Sequence, residues 1–223
     1  MKKQFVLALF LFSTLFIQAQ TKNYGGWYMY FGTINIKNSD FKVHFEVQDR
    51  YHNIANDLEQ LLIRTGLQYN PVENVTFTGG YGFIQSEQVG EFDSPKIENR
   101  LYQEVLLAQK ISKLPIRHRF RYEQRFTENI DFRTRFRYML AVDVPITKQN
   151  DLTKLYAAFY NELFINGEIN EASSSLFDRN RIYIGTGYKL QKNLALQLGV
   201  MNQLLENDAK PRIMLSLHHN FDI

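Results

Sequence analysis

The chain has 223 residues, 44% of them apolar and 14% aromatic, and no cysteine, which rules out a disulfide scaffold and a thiolate metal site. Its 26 basic and 23 acidic residues leave a formal charge of +3, of which Lys2 and Lys3 supply two units; the near-neutral remainder argues against an ordinary basic nucleic-acid-binding protein. Mean hydropathy is −0.34, and the only long apolar run is the extreme N-terminus, so a polytopic helical membrane protein is excluded.

Residues 1–19 read as a secretory signal peptide: Lys2 and Lys3, an apolar stretch from Phe5 to Phe16, and a small-residue exit at Ala19. Cleavage after Ala19 predicts an exported chain over 20–223. With no cysteine to carry a lipid and no Pro/Gly/Ser-rich linker, that segment is expected to be one domain, stabilised by its own core or by lipid.

From there the dominant signal is period two, which on a helix would scatter apolar residues around the whole circumference and therefore means strand. It predicts strands at 26–36, 40–51, 58–69, 74–85, 97–110, 116–126, 130–144, 151–166, 178–190, 194–204 and 211–222, eleven in all. The second alternates Phe41, Val43, Phe45 and Val47 with Lys42, His44, Glu46 and Gln48. The sixth sets Ile116, His118, Phe120, Tyr122 and Phe126 against Arg117, Arg119, Arg121, Glu123 and Arg125, and the seventh repeats this with Arg133, Arg135 and Arg137. Gly79-Gly80 and Gly185-Thr186-Gly187 fall inside strands, where glycine marks a bend or close packing more often than a phosphate cradle.

These strands are long against the roughly 5–6 residues of ordinary globular strands and suit the roughly 9–11 needed to cross a bilayer. Tight links near 38–39, 70–71, 112–113, 148–150 and 191–193 alternate with longer ones near 52–57, 86–96, 167–177 and 205–210, apart from a short one at 127–129. That is the pattern of an outer-membrane barrel with short periplasmic turns. The expected fold is therefore all-β, a single antiparallel transmembrane β-barrel in the outer membrane of a Gram-negative cell, in contact with outer-membrane lipid. The terminal strand alternates to its end with Phe221 near the terminus, which resembles the recognition signal read by the barrel assembly machinery. Bacterial barrels usually have an even strand number, so twelve is preferred, with ten as the fallback, over the eleven counted. Trp27, Tyr28, Tyr51, Tyr69, Tyr81 and Tyr138 are candidates for interfacial girdles.

Six phrases, Arg64-Thr65-Gly66-Leu67-Gln68-Tyr69, Glu98-Asn99-Arg100-Leu101-Tyr102-Gln103, His118 to Phe126, Asn161-Glu162-Leu163-Phe164, Asn180 to Gly185 and Met201-Asn202-Gln203, occur in that order. In this the chain resembles the domain of unknown function 2490 family of outer-membrane proteins. The resemblance spans nearly all of 20–223 and implies an outer-membrane barrel; it brings no catalytic or binding residues with it.

With the apolar rows facing lipid, the charged rows face the lumen. Seven arginines fall within 114–138, and like charges opposed across strands destabilise a sheet. The candidate anion-binding residues are Arg100, Arg117, Arg119, Arg121, Arg125, Arg133, Arg135, Arg137 and Arg181; Glu46, Glu98, Glu104 and Glu162 are candidate counter-charges. One reading is a porin-like narrow channel or a binding protein for a small anionic solute, since guanidinium forks suit carboxylate and phosphate. Another is a structural or assembly barrel sealed by salt bridges, since small barrels have interiors that side chains fill. A third is a membrane-embedded hydrolase, for which Ser216 and His218 share a strand face but no carboxylate is placed by sequence to orient the imidazole. No metal-ligand spacing or cofactor motif is present, and no nucleic-acid partner is expected. On this reading Arg137→Gln is tolerated and Phe136→Arg is not.

Overall fold

A computed structural model describes residues 24–90, 95–112, 114–149, 152–170 and 175–223; the expected signal peptide, 1–19, lies outside them. The regular elements are eleven strands in chain order, β1 (Gly25–Asn35), β2 (Phe41–Tyr51), β3 (Leu58–Val72), β4 (Val75–Ser86), β5 (Lys96–Ile111), β6 (Leu114–Thr127), β7 (Ile130–Gln149), β8 (Leu152–Asn166), β9 (Phe177–Gln191), β10 (Leu194–Leu204) and β11 (Ala209–Asp222). Each pairs with its sequence neighbours, and β1 pairs with β11 to close the barrel.

The strand number is a correction: the barrel has eleven strands, neither the preferred twelve nor the fallback ten. In an up-and-down meander of odd number the first and last strands run the same way, so closure here is parallel, in register from Gly25↔Arg212 to Asn35↔Asp222. An even number is needed only when the seam must be antiparallel. Chain entry at Gly25 and exit at Ile223 consequently lie at opposite ends. Ile223 is tied to the end of β1, its N–H donating to Asn35 O at 3.1 Å and its carbonyl accepting from Lys37 N at 2.7 Å. At the other end the 52–57 loop folds over the start of β1, with Gly26 N donating to Asn53 O at 2.8 Å and Tyr28 Oη to Ile54 O at 2.7 Å.

The pleat separates two chemistries. The outer wall is apolar and exposed along Ile63 and Leu67 of β3, Phe120 of β6, Phe136 of β7, Ile182 of β9 and Leu198 of β10. The interior holds Tyr102 and Phe164 together with buried Glu46, Arg64, Glu123 and Arg135. Of the aromatics expected at the strand ends, Tyr69, Tyr81 and Tyr138 are exposed, but Trp27 is not: at 3% exposure it points into the lumen with Met29. In Gly25-Gly26-Trp27-Tyr28-Met29-Tyr30-Phe31 both faces of the pleat are apolar, so alternation could not say which face is inside.

Inward glycines make room for the large interior rings. A Cβ on Gly80 would lie 2.4 Å from Cζ of Tyr102 and 2.4 Å from the carbonyl oxygen of Thr65, whereas a Cβ on its neighbour Gly79, which points outward, would meet nothing within 4 Å. Gly79→Ala is therefore expected to leave the folded barrel unchanged. Gly80→Ala should destabilise it by about 1–3 kcal/mol, the usual cost of overpacking, read as a lower urea midpoint for loss of the compact band on unheated gels.

Candidate functional site

All thirteen arginines of the chain are buried or half-buried, and eleven of them reach a carboxylate. Glu123, fully buried on β6, is the centre of this network: it accepts from Arg135 Nη2 at 2.6 Å and Arg137 Nη1 at 2.6 Å, with Arg100 Nη1 at 3.5 Å. Glu162 on β8 accepts from Arg137 Nη2 at 2.6 Å and Arg119 Nη2 at 2.7 Å. Glu104 takes Arg121 Nη2 at 2.5 Å and Glu46 takes Arg64 Nη1 at 2.6 Å. Glu98 pairs with Arg100, with Arg125 Nη2 at 2.7 Å and more loosely with Arg133 at 3.8 Å. The candidate counter-charges Glu46, Glu98, Glu104 and Glu162 thus all face arginines.

Four further carboxylates complete the set. Glu123 was legible as a lumenal residue, since it shares the parity of Arg121 and Arg125. Asp143, with the same parity as Arg137, holds Arg117 at 2.7 Å in the most solvent-exposed of the lumenal pairs, where Arg117 keeps 41% of its side-chain surface. Asp178 holds Arg135 at 2.8 Å and Arg179 at 2.9 Å, and Glu59 holds Arg212 at 3.0 Å. Both of these sit at register shifts, one between Arg50 and Tyr51 on β2 opposite Glu59 and one between Phe164 and Ile165 on β8 opposite Asp178, which turn them inward against the alternation; no periodicity in the sequence marks them.

Aromatic rings stand among the guanidiniums. Four guanidinium carbons lie over Phe164, those of Arg137 at 4.4 Å, Arg181 at 4.7 Å, Arg135 at 5.2 Å and Arg179 at 5.9 Å. Tyr102 lies under Arg121 at 4.7 Å and Arg64 at 5.3 Å. Such contacts favour a cation over the ring face and separate charges that would otherwise repel.

On the side of β1 and β8 to β11 the lumen also holds an apolar cluster, Trp27, Met29, Tyr156, Ala158, Tyr183, Met201 and Met214, with Phe31 and Tyr160 packed against it, beside the inward charges Glu162, Asp178, Arg179, Arg181 and Arg212 of the same strands. Between this cluster and the charged sector lies a cavity of about 340 Å³, reaching from Trp27, Arg50 and Arg181 to Thr33 and Asn220 near the end where β1 finishes. Six arginines line it, Arg50, Arg64, Arg117, Arg119, Arg137 and Arg181, against the two carboxylates Glu46 and Glu162. Of the candidate anion-binding residues, Arg117, Arg119, Arg137 and Arg181 reach this cavity, while Arg100, Arg125, Arg133 and Arg135 are held in the packed network beside it. Arg121 is likewise engaged, by Glu104.

Ser216 Oγ and His218 Nε2, which also face the cavity, are 2.9 Å apart, and the His218 ring stacks on Phe31 at 4.9 Å. Among the described residues no carboxylate hydrogen-bonds this imidazole, and no group of three His, Cys, Asp or Glu residues could hold a metal ion.

Because Glu123 neutralises several guanidiniums with no access to water, its removal should be costly. Glu123→Gln is expected to lower stability by about 3–5 kcal/mol, the scale for breaking a buried pair, whereas Asp143→Asn, at a partly exposed pair, should cost less than about 1 kcal/mol. Urea titration of the compact gel band compares the two directly. Arg137→Gln, expected from sequence to be tolerated, belongs with Glu123→Gln, because Arg137 bridges Glu123 and Glu162.

The family model described as Protein of unknown function (DUF2490) matches residues 24–214. An uncharacterised protein of Methylorubrum extorquens is 25% identical over 169 residues, which cover 74% of this chain and 72% of that protein. No solved structure matches. With the family model extending from the start of β1 into β11, the chain belongs to the DUF2490 family of proteins of unknown function.

Proposed function

We propose that this protein is an integral outer-membrane β-barrel whose lumen is a closed chamber for binding a small anionic solute rather than an open channel. The membrane reading is supported by the apolar outer wall, which carries Phe120, Phe136 and Leu198 at about half exposure. Long strands closed without a free edge pair their backbone groups internally, as a bilayer requires. The observation that carries the closed chamber is the packed network inside β5 to β8, where Glu123 and Glu162 tie guanidiniums from β5, β6 and β7 together with no room left at Glu123 for water. A passage for anions needs guanidiniums free to exchange partners, and most of these are committed to carboxylates. The cavity beside the network has more arginines than acids on its walls, which favours an anion as its occupant.

The exported chain should fractionate with outer membranes and migrate as a compact band unless heated; recovery of a soluble periplasmic monomer without detergent would refute the membrane reading. Phe136→Arg, which puts a cation on the outer wall, should cost about 2–4 kcal/mol at mid-membrane and abolish the compact band. In planar bilayers the folded protein should carry no steady current under a salt gradient, and a steady anion-selective conductance would overturn the closed chamber in favour of the channel.

A further inference from the structure

Two of the thirteen arginines stand apart. Arg50 and Arg181 are at 9% and 7% exposure, yet among the described residues neither has a carboxylate within ion-pair distance. Their partners are glutamines: Arg50 donates from Nε to Gln48 Oε1 at 3.0 Å and from Nη1 to Gln60 Oε1 at 2.5 Å, and Arg181 donates from Nε to Gln203 Oε1 at 2.9 Å. Glu162 lies opposite Arg181 in the β8–β9 ladder but is committed to Arg119 and Arg137. Both guanidinium carbons lie over the same Trp27 ring, at 4.0 Å for Arg50 and 4.8 Å for Arg181. Two buried like charges thus share one aromatic platform, and a guanidinium has five N–H donors. Arg181 uses only its Nε–H on the protein, leaving both terminal nitrogens without an acceptor among the described residues.

An uncompensated buried charge is costly. Each of the other eleven arginines meets that cost with a carboxylate; at these two positions the lumen supplies neutral amides and opens onto the cavity. The rest of the wall sets the character of the missing anion. Met29, Met214, Phe31, Tyr160 and Tyr183 line the same cavity and offer apolar surface to whatever the guanidiniums hold. We propose that this cavity is a binding site for a small organic carboxylate with an apolar body, the carboxylate received by Arg181 with Arg50 beside it and the body lying along the methionine and aromatic wall. At about 340 Å³ the site suits an acid of roughly ten non-hydrogen atoms, near the lower end of ordinary ligand pockets. This site rests on the closed-chamber reading above and gives it a place and a ligand class.

The test uses the full exported chain, folded in detergent, with benzoate as probe and benzyl alcohol and inorganic phosphate as controls. Benzoate should bind saturably by calorimetry and raise the temperature at which the compact band is lost. Both controls should bind at least about tenfold more weakly, one lacking the charge and the other the body. Arg181→Gln should lose benzoate binding by at least about tenfold while keeping or raising that temperature, because it removes an unpaired buried charge; an arginine that merely holds the fold would behave in the opposite way. Gln203→Glu supplies the missing carboxylate from the protein, so it should also stabilise the barrel and abolish binding. Equal binding of benzoate and benzyl alcohol, unchanged benzoate binding in either variant, or collapse of the fold in Arg181→Gln overturns the site. Steady conductance with benzoate bound at Arg181 would remove the closed chamber and leave the site standing, whereas a non-conducting barrel that ignores benzoate removes the site alone.

Discussion

Guanidinium groups facing one another across neighbouring strands set the constraint on which the interior of this barrel depends. Register brings Arg121 opposite Arg137, Arg125 opposite Arg133 and Arg100 opposite Arg125, and in a sheet such pairs push apart. A closed barrel cannot relieve them by separating strands, so the compensation comes from the lumen. Carboxylates on β2, β5, β6 and β8 reach across the ladders, and each of Glu98, Glu123 and Glu162 takes more than one partner. Buried pairs of this kind contribute little net stability against their desolvation, yet losing one member is severe. The network therefore fixes which side chain meets which more than it adds to the total.

That division organises the remaining space. Most of the inward charges lie on β2 to β7, and the cluster of rings and methionines lies on β1 and β8 to β11, which also carry the inward charges Glu162, Asp178, Arg179, Arg181 and Arg212. Tyr156 and Tyr183 fit on the apolar side because glycine stands beside each ring: a Cβ on Gly187 of the adjacent β9 would fall 2.0 Å from Cζ of Tyr156, and for Tyr183 a Cβ on Gly185 of its own strand would fall 2.2 Å, and one on Gly199 of β10 2.5 Å, from Oη. Of the glycines noted in the sequence, Gly80, Gly185 and Gly187 thus act as recesses for rings, while Gly79 faces outward. The cavity lies where the network and the ring cluster meet, with Arg50 and Arg181 over the Trp27 ring and without a carboxylate partner among the described residues.

Much of the architecture was written in the alternation. The boundaries of β2, β6, β9 and β10 fall within about two residues of those expected, because an apolar outer wall and a charged interior impose opposite polarity at every step of the pleat. The direct count of eleven was also there, and the even-number rule displaced it because that rule presumes an antiparallel seam. The face of Trp27 could not be read because its strand is apolar on both sides. Glu59 and Asp178 could not be placed because register shifts break the parity on which the inference rests. Nor does the alternation distinguish Arg181 from Arg179: Arg179 has a carboxylate because the register shift turns its chain neighbour Asp178 inward beside it, whereas Arg181 meets Gln203 across the β9–β10 ladder.

The parallel seam has a consequence for how the barrel comes to be. Ten of its eleven ladders join strands consecutive in the chain and can form by zipping outward from a turn. The β1–β11 ladder alone joins the chain's extremes, bringing Tyr30 Oη to His219 Nδ1 at 3.1 Å across 189 residues of sequence. Loop-closure entropy weighs on such contacts until intervening structure shortens the loop. The seam is therefore the step that waits for all the others, and until it forms, β1 and β11 present open edges able to pair with another chain.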